Sequence, residues 1–133
     1  MASARIAKEL FFKTPTRVGL LADVSEALAS AGVNIIAIGA YDKDGMGEFL
    51  LITSDEATAA ATLAGLGGDV TETDVVLVVV NNVPGALAEV ARAVANAGIN
   101  VSQVHATTSE GPHTMVVLRT ADDAKVVEIL SAL

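Results

Sequence analysis

RVGLLADVSEALASAGVNIIAIGA, from Arg17 to Ala40, returns as VPGALAEVARAVANAGINVSQVHA, from Val83 to Ala106. The offset is the same sixty-six residues throughout, and no gap is needed. Gly19 falls on Gly85, Leu21 on Leu87, Ala22 on Ala88 and Val24 on Val90, and Gly32 and Asn34 fall on Gly98 and Asn100. The offset is close to half the chain, so the pattern reads as a duplicated domain. Two domains are expected, over residues 1–73 and 74–133. Two copies are too few for a solenoid, and each carries its own mix of elements.

Each copy reads strand, helix, strand, strand, helix. In the first, a strand lies around Glu9 to Lys13 and a helix runs from about Val18 to Ala31. Leu21, Val24, Leu28 and Ala31 make its apolar face at spacings of three and four. Gly32 stands where a helix ends in the left-handed conformation. Asn34 to Tyr41 and Glu48 to Thr53 read as strands joined by KDGMG, where Asp44-Gly45 is a strong hairpin signal. Ser54 or Asp55 caps a second helix that ends at Gly67-Gly68, and Asp69 to Thr73 closes the copy as a short strand. The second copy gives a strand over Val75 to Val80 and a helix over Pro84 to Ala97. A hairpin follows, from Asn100 to Thr107 and Thr114 to Arg119 around Ser109-Glu110-Gly111-Pro112. A last helix starts at Asp122. No last strand is visible after it. The order βαββαβ is that of an α+β, ferredoxin-like fold with an antiparallel sheet.

Composition narrows the function. The net charge is −8 with eight Lys and Arg. Nucleic acid and anionic membrane are poor partners for such a chain, because phosphate binding rests on clustered positive charge. With no cysteine, disulfides, thiolate metal sites and Cys nucleophiles are out. The apolar run VVLVVV is too short to span a bilayer. MASARIAKELFFKTP mixes charge with short apolar runs and reads as a first strand, not a signal peptide. A soluble cytoplasmic protein without cofactor is expected.

The corner NNVPG, Asn81 to Gly85, is either a tight turn or a binding loop. Gly85 lets a backbone approach a ligand with no side chain between. The helix after it offers unpaired N–H groups and a positive dipole end to a carboxylate. An asparagine amide supplies donors and an acceptor for a zwitterion. Asn34 and Asn100 follow helix ends, where asparagine also serves its own backbone. Asp42 to Glu48 imitates a calcium loop, but Met46 and Thr53 occupy ligand positions, so a hairpin is expected. His105 and His113 share one hairpin without opposing each other, and no metal site is expected.

Strand, N-x-x-P-G-x-L, helix, A-G-I/V-N, strand resembles the ACT domain, a small-molecule regulatory module of amino-acid metabolism. The resemblance covers nearly the whole chain, in two copies. It implies amino-acid binding at an interface between such domains, beside the first strand-to-helix loop. It places Asn82, Val83, Pro84, Gly85, Ala86, Leu87 and Asn100 in the site of the second copy. Thr16, Gly19, Leu20 and Asn34 are their counterparts in the first. The family's loop histidine falls on Val80 and on Thr14, and Val18 replaces the motif's proline.

The expected function is that of a non-catalytic sensor of an amino acid or related small carboxylate, acting through its own oligomer or by docking on an enzyme. An oligomerisation module with an empty site is the alternative. An acylphosphatase-like enzyme would need a loop arginine, and Arg17 is the only candidate. With no last strand in the second copy, Val75 to Val80 is an apolar edge. A strand from the first copy, or a second subunit, must cover it, and one long strand could run from Asp69 into Val75. A homodimer is expected on this ground.

Overall fold

A computed structural model describes residues 2–108 and 110–133. The elements are β1 (Ser3–Pro15), α1 (Leu20–Ser30), β2 (Ile35–Lys43), β3 (Met46–Thr53), α2 (Glu56–Ala64), β4 (Asp69–Asn81), α3 (Ala86–Asn96), β5 (Val101–Thr107), β6 (His113–Thr120) and α4 (Asp123–Ser131). The order is twice the expected one. Among the described residues, no helix is long and apolar enough to cross a membrane.

Two compact units form. One is Lys8–Thr73. The other joins Asp74–Leu133 to the segment that ends at Ala7. The junction after Thr73 is therefore one boundary, and the chain passes between units a second time after Ala7. β1 and β4 each give one part to each unit.

In the unit Lys8–Thr73 the strand order is β2-β3-β1-β4. β3 runs antiparallel to both β1 and β2, so that Phe49 stands between Phe12 and Ala40. Alternation along each strand sends Leu10, Phe12, Phe49 and Leu51 to one face. There they meet Leu20, Val24 and Leu28 of α1 and Ala59 and Leu63 of α2 in a core with almost no solvent contact. The rings of Phe12 and Phe49 lie 6.0 Å apart and tilted. Asp44 and Gly45 both take positive φ, 51° and 79°, as a two-residue hairpin requires. This hairpin is what stands in place of a calcium loop. Asp55, not Ser54, caps α2 by accepting from the Thr58 N–H.

The second unit has the order β1-β4-β6-β5, with Ser3–Ala7 as its share of β1. Val76, Val78 and Val80 of β4 face α3 and α4, with Val90, Val94, Val116, Leu118, Val126 and Leu130 completing the core. Ala2 and Ala4 pack against this cluster. Among the described residues α4 is the last element, and the N-terminal part of β1 takes the position of a last strand beside β4. Val75 to Val80 is thus flanked on both sides from within the chain and is not an open edge. The edge argument for a homodimer falls with it. The expected strands Asp69 to Thr73 and Val75 to Val80 are one strand. Ser109, part of the expected β5–β6 turn, lies outside the described residues; Glu110 takes φ 66° there.

Candidate functional site

In both units the helix after the first loop begins at a glycine in the left-handed conformation. Gly19 has φ 87° and Gly85 has φ 88°, and neither helix start is capped by a side chain. The repeated glycine is there because an L side chain would be strained at that φ. The helices start later than the sequence suggests, at Leu20 and Ala86. Pro84 therefore precedes the cap instead of sitting inside the first turn. Without a side-chain cap, the N–H groups of Leu87 and Ala88 remain available at the start of α3.

Beside this helix start lies an open groove of about 540 Å³. From the loop and helix it takes Asn82, Val83, Gly85, Ala86 and Leu87, the loop residues singled out above, together with Ala88 and Ala91. The opposite wall is the β5–β6 hairpin, with Ala106, Thr107, Thr108, Thr114 and Val116. Among the described residues no charged side chain lines it. Pro84 lies on the other side of the loop, in a smaller cavity of about 140 Å³ lined also by Val80, Glu89 and Val90. The threonines were not foreseen. They come to the groove only because Val80 pairs with Thr114 and Thr107 with Met115, a register the sequence does not spell out.

Asn82 is committed to the loop itself. Its side-chain Nδ2 donates to the Gly111 carbonyl at 2.9 Å, and its backbone N–H donates to the Pro112 carbonyl at 2.9 Å. The Thr114 hydroxyl donates to the Thr107 carbonyl. These bonds hold the loop and the hairpin together as the two walls of the groove.

Asn100 does not join them. Its carbonyl accepts from Ala121 at 3.1 Å, at the far end of β5 from Thr107. Seven residues of extended chain put it about 20 Å from the loop. Asn34 behaves alike: its carbonyl accepts from the Ser54 N–H and its N–H donates to the Ser54 hydroxyl, both at 2.9 Å. Both asparagines tie the start of an edge strand to the segment after its neighbour. Within one unit, then, neither shares a site with the loop.

The first unit differs at the helix start. Leu20 is 7% exposed and belongs to the core, facing inward. Thr16 is exposed, its N–H bonded to the Gly45 carbonyl at 2.9 Å. Arg17 is ion-paired with Asp23 on the surface. His105 lies opposite Val117 and His113 opposite Asn81, so the two do not face each other.

A crystal structure of a protein from Bacteroides thetaiotaomicron is similar over 97% of this chain and 89% of its own, with 29% identity and a TM-score of 0.87. The ligand-free regulatory subunit of aspartate kinase from Thermus thermophilus shares the fold, with a TM-score of 0.72 at 18% identity over 98% of this chain and 95% of that one. Its counterpart from Thermus flavus has a TM-score of 0.66 at 21% identity over the same shares. No curated protein sequence matches the chain. The ACT domain model matches twice, over residues 8–66 and 75–133. Matched along both repeats, with βαββα order in each, the chain belongs to the ACT domain family.

Proposed function

We propose that this protein is a non-catalytic regulatory module that binds an amino acid or related small carboxylate in the groove beside α3. The observation that carries the reading is the groove itself. It places uncapped N–H groups at the start of α3, the Asn82 amide oxygen and three threonines around an apolar floor. Helix N–H groups suit a carboxylate, and hydroxyl and amide oxygens suit an ammonium. Among the described residues no titratable side chain lines the groove, which supports binding over acid–base catalysis there.

Regulation follows by linkage: a ligand that fits one assembly better than another shifts the population toward it. Leu87 and Val104 are about half exposed, at the rim of an apolar groove of about 400 Å³ next to the site. A second domain seated there would cover them. If it paired antiparallel along β5, it would bring its own Asn100 to this loop. A homodimer closed by ligand, or an enzyme partner, is the assembly this reading supplies. Aspartate kinase regulatory subunits have the same fold.

The test is thermal unfolding against the twenty amino acids and common 2-oxo acids, with light scattering before and after. A ligand at 100 times its dissociation constant adds about 2.7 kcal/mol, several degrees for a domain of this size. A selective shift with a change in assembly is expected. A flat response across the panel would sink the reading and leave an oligomerisation module.

A further inference from the structure

The repeats share a backbone but not their side-chain volumes. By the constant offset, Leu20 of the first unit answers to Ala86 of the second, and Phe12 to Val78. By strand register, Gly47 answers to Thr114 and Phe49 to Val116, because Thr14 pairs with Gly47 and Val80 with Thr114. A methyl group placed on Gly47 would lie 2.6 Å from Leu20 Cδ2. Leu20 is therefore seated directly on the hairpin backbone, where glycine alone leaves room. In the second unit the helix start carries only the Ala86 methyl, and the ring of Phe49 is reduced to Val116. Ala86, Thr114 and Val116 all line the 540 Å³ groove.

We propose that the chain binds one amino acid, in the second unit only, and that this amino acid has an uncharged, apolar side chain. This rests on the amino-acid reading above. The number of sites follows from Leu20, which fills the place that Ala86 leaves open. The ligand class follows from the lining. Among the described residues the walls offer methyl, methylene and hydroxyl groups and the Asn82 amide, but no charged side chain, so the part of a charged ligand side chain seated there would lose water with no counter-charge to replace it.

The experiment is titration calorimetry on the full chain with L-valine, L-isoleucine, L-methionine and L-phenylalanine against L-lysine, L-arginine, L-aspartate and L-glutamate. At least one of the first group is expected to saturate at one per chain, with the charged ones at least a hundredfold weaker. Ala86→Leu, which copies the first unit's residue into the second, is expected to weaken binding tenfold or more. Circular dichroism would verify that it folds. Amide NMR on the unaltered chain gives an independent reading: shifts at Gly85, Ala86, Thr107 and Thr114, and none at Gly19, Leu20 and Gly47. Two ligands per chain, shifts around Gly47, or preference for a charged amino acid would overturn this inference while leaving the amino-acid reading intact. Silence from all eight here, together with a flat thermal response to all twenty amino acids, would overturn that reading, and this one with it.

Discussion

Leu20 rests on the backbone of Gly47, with its Cδ2 only 2.6 Å from where a glycine-to-alanine methyl would stand. The pair closes the first unit at the point where Ala86 and Thr114 leave the second open. Leu20 is also the first residue of α1 and part of the core under it.

Leu20→Ala should cost about 3 kcal/mol, the loss of a buried leucine and the void behind it. Denaturant melts would read this directly. Ala86→Gly, at the matching position, should cost only about 1 kcal/mol, mostly the helix-propensity difference, because it removes a single partly buried methyl from the edge of the core.

Gly19→Ala and Gly85→Ala should each cost about 1–2 kcal/mol. The cause is conformational alone, because no atom lies within 4 Å of the added methyl at either glycine. Asparagine, which tolerates positive φ better, should cost less than alanine at both sites. Equal losses for alanine and asparagine would refute that cause.

Asn82→Ala removes the bond to the Gly111 carbonyl and should cost about 1 kcal/mol. The informative readout is hydrogen exchange. Amides of the β5–β6 turn should exchange faster in the variant, while those of β2 and β3 keep their protection.

Thr53→Val should stabilise by about 1 kcal/mol. The Thr53 hydroxyl is buried without a hydrogen-bond partner, so removing it relieves a desolvation cost at nearly constant shape. A lower melting temperature for the valine variant would show that the hydroxyl is satisfied after all.

Asp55 titrates below its ordinary value. The Thr58 hydroxyl is the larger cause and the Thr58 N–H the next. A depressed carboxylate stabilises the fold above its unfolded pKa, and that contribution is lost as pH falls through the lower, folded value. The gap in melting temperature between the native chain and Asp55→Asn should therefore narrow as pH drops below 3.8.

The sequence was readable wherever the physics is local. Gly32 and Gly98 end helices with φ 75° and 72°, and Asp44-Gly45 turns a hairpin, because glycine answers a backbone demand that neighbours in sequence impose. The loop side of the groove was readable for the same reason. The hairpin side was not: Thr107 and Thr114 reach the site through strand register, which depends on residues far apart in the chain. Asn82 and Asn100 look like partners in a motif, yet a whole strand separates them within one unit. Leu20 looks like the equal of Ala86 by position, and only the packing against Gly47 tells the groove-lining residue from the core one. The N-terminal part of β1 was hardest to place, since SARIA carries no sign of which β-strand it will join.

That strand also sets an order of assembly during synthesis. Ser3–Ala7 leaves the ribosome well before its neighbour, the Asp74–Asn81 part of β4, which is made only after the entire unit Lys8–Thr73. The inner unit can close while its leader waits. The leader is suited to waiting in water: Arg5 and Ser3 are polar, and Ile6 is its one large apolar residue. The sticky partner, VVLVVV, emerges late, with a ready-made strand already at hand. A nascent chain thus never has to expose its most aggregation-prone stretch while lacking the strand that shields it.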